Sequence, residues 1–290
     1  MRAENGDNMS ITPQMELIPK LKSETILRLL ERKERIDKRG LEDFRPLEIL
    51  TNYIDNAEGS AYVKLGTTQV VVGVKLEIGA PYPDTPNEGV LIVNAEFVPL
   101  ASPSFEPGPP DENAIELARV IDRALREFKV IKVDELALIP GKKVWITWLD
   151  IYVLDHGGNL IDASSIAAMA ALLTTKMPKV EVDESKGEVI VDKSQYVDNL
   201  PIRSSVVTIT IGKIGHHLIV DPTYEEEQIL DAKITIAVSD DGRIAGIQKA
   251  GMGGFTAEEV KRAVRIAISK APLIFDQLKN VVGRLKTTES

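Results

Sequence analysis

The chain has 290 residues, 43% of them hydrophobic and 27% charged, and a formal net charge of −9. It has no cysteine, which excludes disulfides and thiolate metal sites. No apolar run approaches the roughly 20 residues of a membrane span. An acidic balance argues against a free-standing nucleic-acid binder, so any such binding has to come from a local basic patch, completed by another chain.

A chain this long buries roughly 75% of its unfolded surface, enough for one large domain or two smaller ones. The opening MRAENGDNMS lacks the apolar core of a secretory signal, which makes the cytoplasm the expected compartment. Its first eight or so residues read as a flexible tail. Ile26, Leu29 and Leu30 recur at helical spacing, which predicts a helix from Ser23, as N-cap, to Lys33. The β pattern then takes over, with strands at Gly59–Leu65, Thr68–Leu76 and Val90–Leu100. The second is a β-branched run of the kind buried on both faces.

After a proline-rich loop, Ala114, Leu117, Ala118, Ile121, Leu125 and Phe128 form one stripe of a helix over Asp111–Lys129. Lys143–Asp155 is a strand, His156-Gly157-Gly158-Asn159 its turn, and Asp162–Thr175 an alanine-rich helix able to pack closely on a sheet. The pattern then starts again. A hairpin joins Lys179–Asp183 to Glu188–Asp192, and strands follow at Ser205–Gly212, His217–Val220, Lys233–Val238 and Ile244–Lys249. Thr256 and Glu259 make a capping box for a last long helix, which Pro272 should kink or split. Strands then a helix, twice over, indicate an α+β fold of two related halves, joined near Met177-Pro178. The expected division is a tail over 1–22, a first domain over 23–177 and a second over 178–290.

Few residues suggest chemistry by spacing alone. The three histidines, His156, His216 and His217, have no metal-ligand spacing, and His216 and His217 on one strand would point to opposite faces. They read better as structural or surface residues. Ser164 and Ser165 lack the context of a hydrolase nucleophile. Gly251-Met252-Gly253-Gly254 reads as a flexible turn rather than as an anion-binding nest, and Tyr224-Glu225-Glu226-Glu227 as a solvated acidic loop. Arg119 and Arg123 share a helix face four residues apart, with Arg126 close behind. Like charges so placed either find an anion or are offset locally, by Glu116 three before Arg119 and Asp122 four before Arg126.

Three stretches together resemble the RNase PH family. The first is Arg35-Ile36-Asp37-Lys38-Arg39-Gly40 with Phe44-Arg45-Pro46, which departs from the family's opening in having Lys38 for a glycine. The second is Gly59-Ser60-Ala61-Tyr62-Val63-Lys64-Leu65-Gly66-Thr67-Thr68. The third is Asp155–Gly158 with the alanine-rich helix after it. The resemblance runs from about Glu34 to Lys270. It implies the family's two related sheet-plus-helix halves, the first of ribosomal protein S5 domain 2-like type. The segment Glu106–Arg119 narrows it further, being similar to non-catalytic RNase PH-like subunits of the archaeal exosome.

That resemblance implies a hetero-hexameric ring, a trimer of heterodimers with a catalytic RNase PH-like sister subunit. RNA-binding cap subunits sit on the ring, and single-stranded RNA is shortened from its 3′ end by inorganic phosphate. It also implies that Arg119 and Arg123 face RNA near the sister's active centre. In catalytic relatives a small hydroxyl residue and an arginine follow the glycine pair; Asn159 and Leu160 stand there instead. Two aspartates six apart become Glu227 and Lys233. Leucine donates no hydrogen bond, and lysine puts a cation where a carboxylate should work, so no catalytic residue, metal or cofactor is expected. The alternative is a self-sufficient phosphorolytic exoribonuclease with Glu227 and Asp231 as its carboxylates.

Overall fold

The computed structural model describes residues 20–183 and 185–288; the expected flexible tail lies outside them. The first half comprises α1 (Lys20–Glu31), β1 (Leu47–Thr51), β2 (Gly59–Leu65), β3 (Thr68–Gly79), β4 (Val90–Phe97), α2 (Glu112–Glu127), β5 (Ala137–Ile139), β6 (Lys143–Asp155) and α3 (Leu160–Thr174). The rest comprises β7 (Lys176–Asp183), β8 (Glu188–Asn199), β9 (Val206–Ile214), β10 (His217–Val220), α4 (Tyr224–Glu227), β11 (Ala232–Ser239), β12 (Ile244–Ala250) and α5 (Ala257–Thr288). The fold is α+β.

One sheet has the order β1-β2-β3-β6-β4, with β5 added beside β6; β4 runs parallel to β6 and the other pairs are antiparallel. The other sheet is antiparallel, in the order β10-β9-β11-β12. β7 and β8 form a separate two-stranded ribbon, whose register shifts on either side of Pro178. Proline has no N–H to give a ladder, so a break in pairing there is expected.

α3 lies at the centre of this arrangement. It touches β1, β2, β3 and β6 of one sheet, β9 of the other, and both α2 and α5. Every residue from Ile161 to Thr174 except Leu173 is buried. A helix covered on all sides cannot be amphipathic, which is why its sequence is apolar and small all round. Its alanines let the sheets approach, while Ile166, Met169 and Leu172 fill the remaining space. α2 and α5 cover the flanks with one apolar stripe each: Leu117, Ile121 and Leu125 in α2, and Ala267, Ile274 and Leu278 in α5. A second, smaller core joins Ile26 and Leu30 of α1 to Ile214 and Ile219.

Several expectations are corrected here. α1 is already helical at Lys20, so Ser23 lies inside it. β3 buries mainly one face (Val70, Val72, Val74 and Leu76), because α3 covers only that side and leaves Gln69, Lys75 and Glu77 partly or fully exposed. The predicted third strand ends at Phe97 and gives way to a 3-10 turn over Pro99–Ala101. β8 continues to Asn199, beyond the expected Asp192. Pro272 does not split α5; the buried Ala271, Ile274 and Phe275 around it keep both sides of the helix seated on the core. His216 lies in the β9–β10 turn, so its ring lies against that of His217, centroids 3.9 Å apart, and does not point to the opposite face.

Candidate functional site

The turn after β6 is where the two sheets meet, and its shape depends on glycine. Gly158 has φ +92°, and a Cβ there would lie 2.5 Å from the backbone of Thr223 and Tyr224. No other residue allows the β10–α4 loop to come so close. The amide of Tyr224 donates to the Gly157 carbonyl at 3.0 Å. From the other side Arg45 donates to the carbonyls of Gly157 at 2.7 Å and Gly158 at 3.1 Å. Asn159 follows in the left-handed conformation, φ 50°, as N-cap of α3.

Beneath this turn lies a buried charge network. Asp221, fully buried with φ 51°, accepts from Nε and Nη2 of Arg45 at 2.9 and 2.7 Å, from Nη1 of Arg39 at 3.0 Å and from Nδ2 of Asn159 at 2.8 Å. Arg35 is buried too. It forms a two-pronged pair with Glu226 and donates to the carbonyls of Val220 at 2.6 Å and Asp221 at 2.9 Å. Forked guanidinium–carboxylate pairs of this kind fix orientation as well as charge. The arginines of the opening motif are therefore braces between the first sheet and the β10–α4 loop.

This corrects the reading of Tyr224–Glu227 as a solvated loop. It is a helical turn with a Thr223–Glu226 capping box, and Glu226 is buried. Charge clusters in sequence look solvated unless their distant partners are known, and Arg35 stands 191 positions away.

Asp162, one turn into α3, is fully buried and accepts from Asn159, the Thr208 hydroxyl, and both the amide and hydroxyl of Thr210. Burial pushes its carboxyl up to about 6 despite these bonds. No sequence signal marked it.

Above the network opens a cavity of about 640 Å³ between the loop after β4, the start of α2, the turn after β6 and the α4–β11 segment. Asn159, Leu160, Glu227 and Lys233, far apart in sequence, all line it. The Lys233 ammonium lies 3.2 Å from Oε1 of Glu227. His156 lies flat against Phe105, centroids 5.5 Å apart, and edge-on to Tyr224 at 5.0 Å. Burial pushes the His156 imidazole below its ordinary range, so it is neutral at pH 7, and its Nδ1 accepts from the Gly158 amide at 3.3 Å. Asp231 is not among the lining residues; its carboxylate accepts from the Gly215 amide at 2.7 Å. The cavity thus holds a lysine–glutamate pair and a leucine at the head of α3.

Arg119 and Arg123 are exposed on α2, outside that cavity. Neither has an ion-pair partner among the described residues. Arg126 is different: it pairs with Asp122 at 2.7 Å and also donates to the Leu91 carbonyl. Of the two local offsets expected from the sequence, Asp122–Arg126 forms. Glu116 instead lines the cavity. Gly253 of the glycine-rich turn donates to the Asp231 carbonyl at 2.7 Å, within the chain. No three histidine or acidic side chains among the described residues are grouped so as to hold a metal ion.

Comparison with known proteins agrees with this architecture. Residues 43–178 match domain 1 of the 3′ exoribonuclease (RNase PH) family, and residues 204–270 match its domain 2. The exosome complex component Rrp42 of Sulfurisphaera tokodaii is 51% identical over 276 residues, covering 95% of this chain and 100% of that protein. A chain of the Archaeoglobus fulgidus exosome, solved with RNA bound to the active site, superposes with a TM-score of 0.80 at 45% identity, covering 89% of this chain and 98% of that one. A chain of an archaeal exosome core superposes with a TM-score of 0.77 at 41% identity, covering 89% and 96%. With both domain models matched in order on two facing sheets, the chain belongs to the RNase PH family of 3′ exoribonucleases.

Proposed function

We propose that this chain is a non-catalytic subunit of an archaeal-type exosome, acting in the cytoplasm within a ring shared with a catalytic RNase PH-like sister. The observation that carries this reading is the cavity at the head of α3. Phosphorolysis requires an anion site for the attacking phosphate and carboxylates free to handle a metal or a proton. Leu160 stands where a cationic donor is needed, and Lys233 occupies a carboxylate's place and is tied to Glu227. The pair spends the one remaining acid of the expected set on a neighbour's charge.

Under this reading the chain shapes the ring and lends charge to it. Arg119 and Arg123, exposed on one helix face and without an ion-pair partner among the described residues, are suited to gripping phosphate oxygens of single-stranded RNA that passes a neighbouring subunit. RNA-binding cap subunits and the catalytic sister supply the remaining contacts. The overall charge of −9 fits a protein that binds RNA through a local patch in an assembly.

The test is a phosphate-dependent RNA degradation assay on the purified chain, on the sister subunit, and on the two mixed. The expected result is no release of nucleoside diphosphates by this chain alone and full activity in the mixture. Phosphorolysis by the isolated chain would sink the proposal.

A further inference from the structure

A groove runs between α2 and β12, outside the cavity at the head of α3. Val120, Arg123 and Glu127 line it from the helix, and Gly246, Ile247 and Gln248 from the strand. The buried Thr208 and Thr235 form its floor, with their hydroxyls already bonded to Asp162 and Thr210. β12 ends its sheet, so along this edge the backbone has no partner strand among the described residues. An open edge of this kind offers N–H and C=O groups to whatever lies beside it.

Gly246 has no reason inside the chain. Glycine weakens a strand interior unless a bulge, a tight bend or a close approach calls for it. A Cβ at Gly246 would meet no heavy atom within 4 Å, so no neighbour in the fold excludes a side chain. The register does shift beside it, between Ala237 and Val238. Its φ is not in the left-handed region, however, so the irregularity is open to any residue. The remaining reason is an approach from outside. Ile247, 46% exposed on the same strand, points to the same conclusion.

Charge and size describe what approaches. Arg123 stands at the groove, and Arg119 lies one turn earlier on α2; neither has an ion-pair partner among the described residues. Glu127 lies one turn beyond Arg123, and the Gln248 amide has no hydrogen-bond partner among the described residues. The fitting ligand has an anionic end for the arginines, a flat apolar body, and a polar edge for Gln248 and Glu127. The enclosed volume, about 60 Å³, is too small for a whole nucleotide. A base can enter by its edge while sugar and phosphate stay outside, level with the arginines.

We infer that this groove is a base subsite for single-stranded RNA. One base lies between Val120 and Ile247, over Gly246, with a neighbouring phosphate on Arg119 and Arg123. Gln248 bonds its edge and Glu127 accepts from its exocyclic amine. The inference deepens the ring role proposed above and rests on its reading of the two arginines.

The test is RNA affinity, measured by fluorescence anisotropy in phosphate-free buffer on the ring reassembled from this chain and its catalytic sister. Gly246→Val puts a strand-favouring side chain into open space, so the ring should assemble normally. It should bind a labelled oligoadenylate about tenfold more weakly, as loss of one well-made contact does. The slope of log K against log salt should not change, because no phosphate contact is lost. A single abasic site moved along the oligonucleotide should find one position whose base matters to the natural ring and not to the Gly246→Val ring. Unchanged affinity of the variant, or equal sensitivity of both rings at every position, would overturn the inference. So would failure of the variant ring to assemble, since a neighbouring protein chain would then be what fills the groove. Arg119→Ala with Arg123→Ala separates the two readings: no loss of affinity there overturns RNA binding by α2 itself, whereas a loss there with none for Gly246→Val removes the base subsite alone.

Discussion

Arg45 grips both carboxylate oxygens of Asp221, a residue 176 positions further along the chain, with Nε 2.9 Å from one oxygen and Nη2 2.7 Å from the other. The same guanidinium holds the carbonyls of Gly157 and Gly158. One side chain therefore ties together the start of the first sheet, the turn that leads into α3 and the loop that leaves β10.

Removing the acid should be costly. Asp221→Ala leaves Arg39 and Arg45 beside one another without their shared carboxylate, and breaking a buried pair in this way costs about 3–5 kcal/mol. Arg45→Lys keeps the charge but loses the fork, and should cost less. Urea unfolding of both variants checks the order; a smaller loss for Asp221→Ala than for Arg45→Lys would contradict the picture.

Asp162 gives a pH signature. Its folded carboxyl titrates near 6, above its ordinary 3.8. Between those values the folded state keeps a proton that the unfolded chain has released, so this group's contribution to stability falls as pH rises through the window. Neutral pH therefore carries a penalty of about 3 kcal/mol at roughly 1.4 kcal/mol per unit. Asp162→Asn keeps an acceptor for Asn159 and the Thr210 amide, and the two threonine hydroxyls can turn to accept. The variant should gain on the natural protein by that amount between pH 4 and pH 7. A pH-independent difference in unfolding free energy would show that Asp162 does not titrate in this range.

Gly158→Ala tests the close approach of the loops. The added Cβ meets the Thr223–Tyr224 backbone at 2.5 Å and φ +92° is strained for alanine, so the loss should exceed about 1 kcal/mol. Amide resonances of Thr223 and Tyr224 should move more than those of the β7–β8 ribbon. Unchanged melting and unchanged loop resonances would mean that the turn has slack.

For RNA, the informative variant is Arg119→Ala with Arg123→Ala in the assembled ring. Affinity should fall at low salt, and the slope of log K against log salt should become shallower by about 0.7 for each phosphate of a single strand that the ring no longer neutralises. The deficit should therefore shrink at high salt. An unchanged slope and affinity would leave the two arginines as a solubilising face.

Much of the fold was legible because apolar periodicity is a local signal. The strand at Lys143–Asp155, the short strand at His217–Val220 and the apolar stripe of α2 follow from residues a few positions apart, whose spacing states which face is covered. The resemblance also picked out Asn159, Leu160, Glu227 and Lys233, which the fold brings to one cavity.

Only the tertiary structure decided the fate of the charges. Arg35, Arg39 and Arg45 read as one motif and Glu226 as part of an acidic loop, yet inside the protein Glu226 and Asp221 neutralise those arginines. Asp162 was invisible for the same reason. Whether a charged or polar side chain is buried depends on a partner that chain folding delivers from far away. Spacing along the sequence carries the hydrophobic pattern, but it does not carry the identity of that partner.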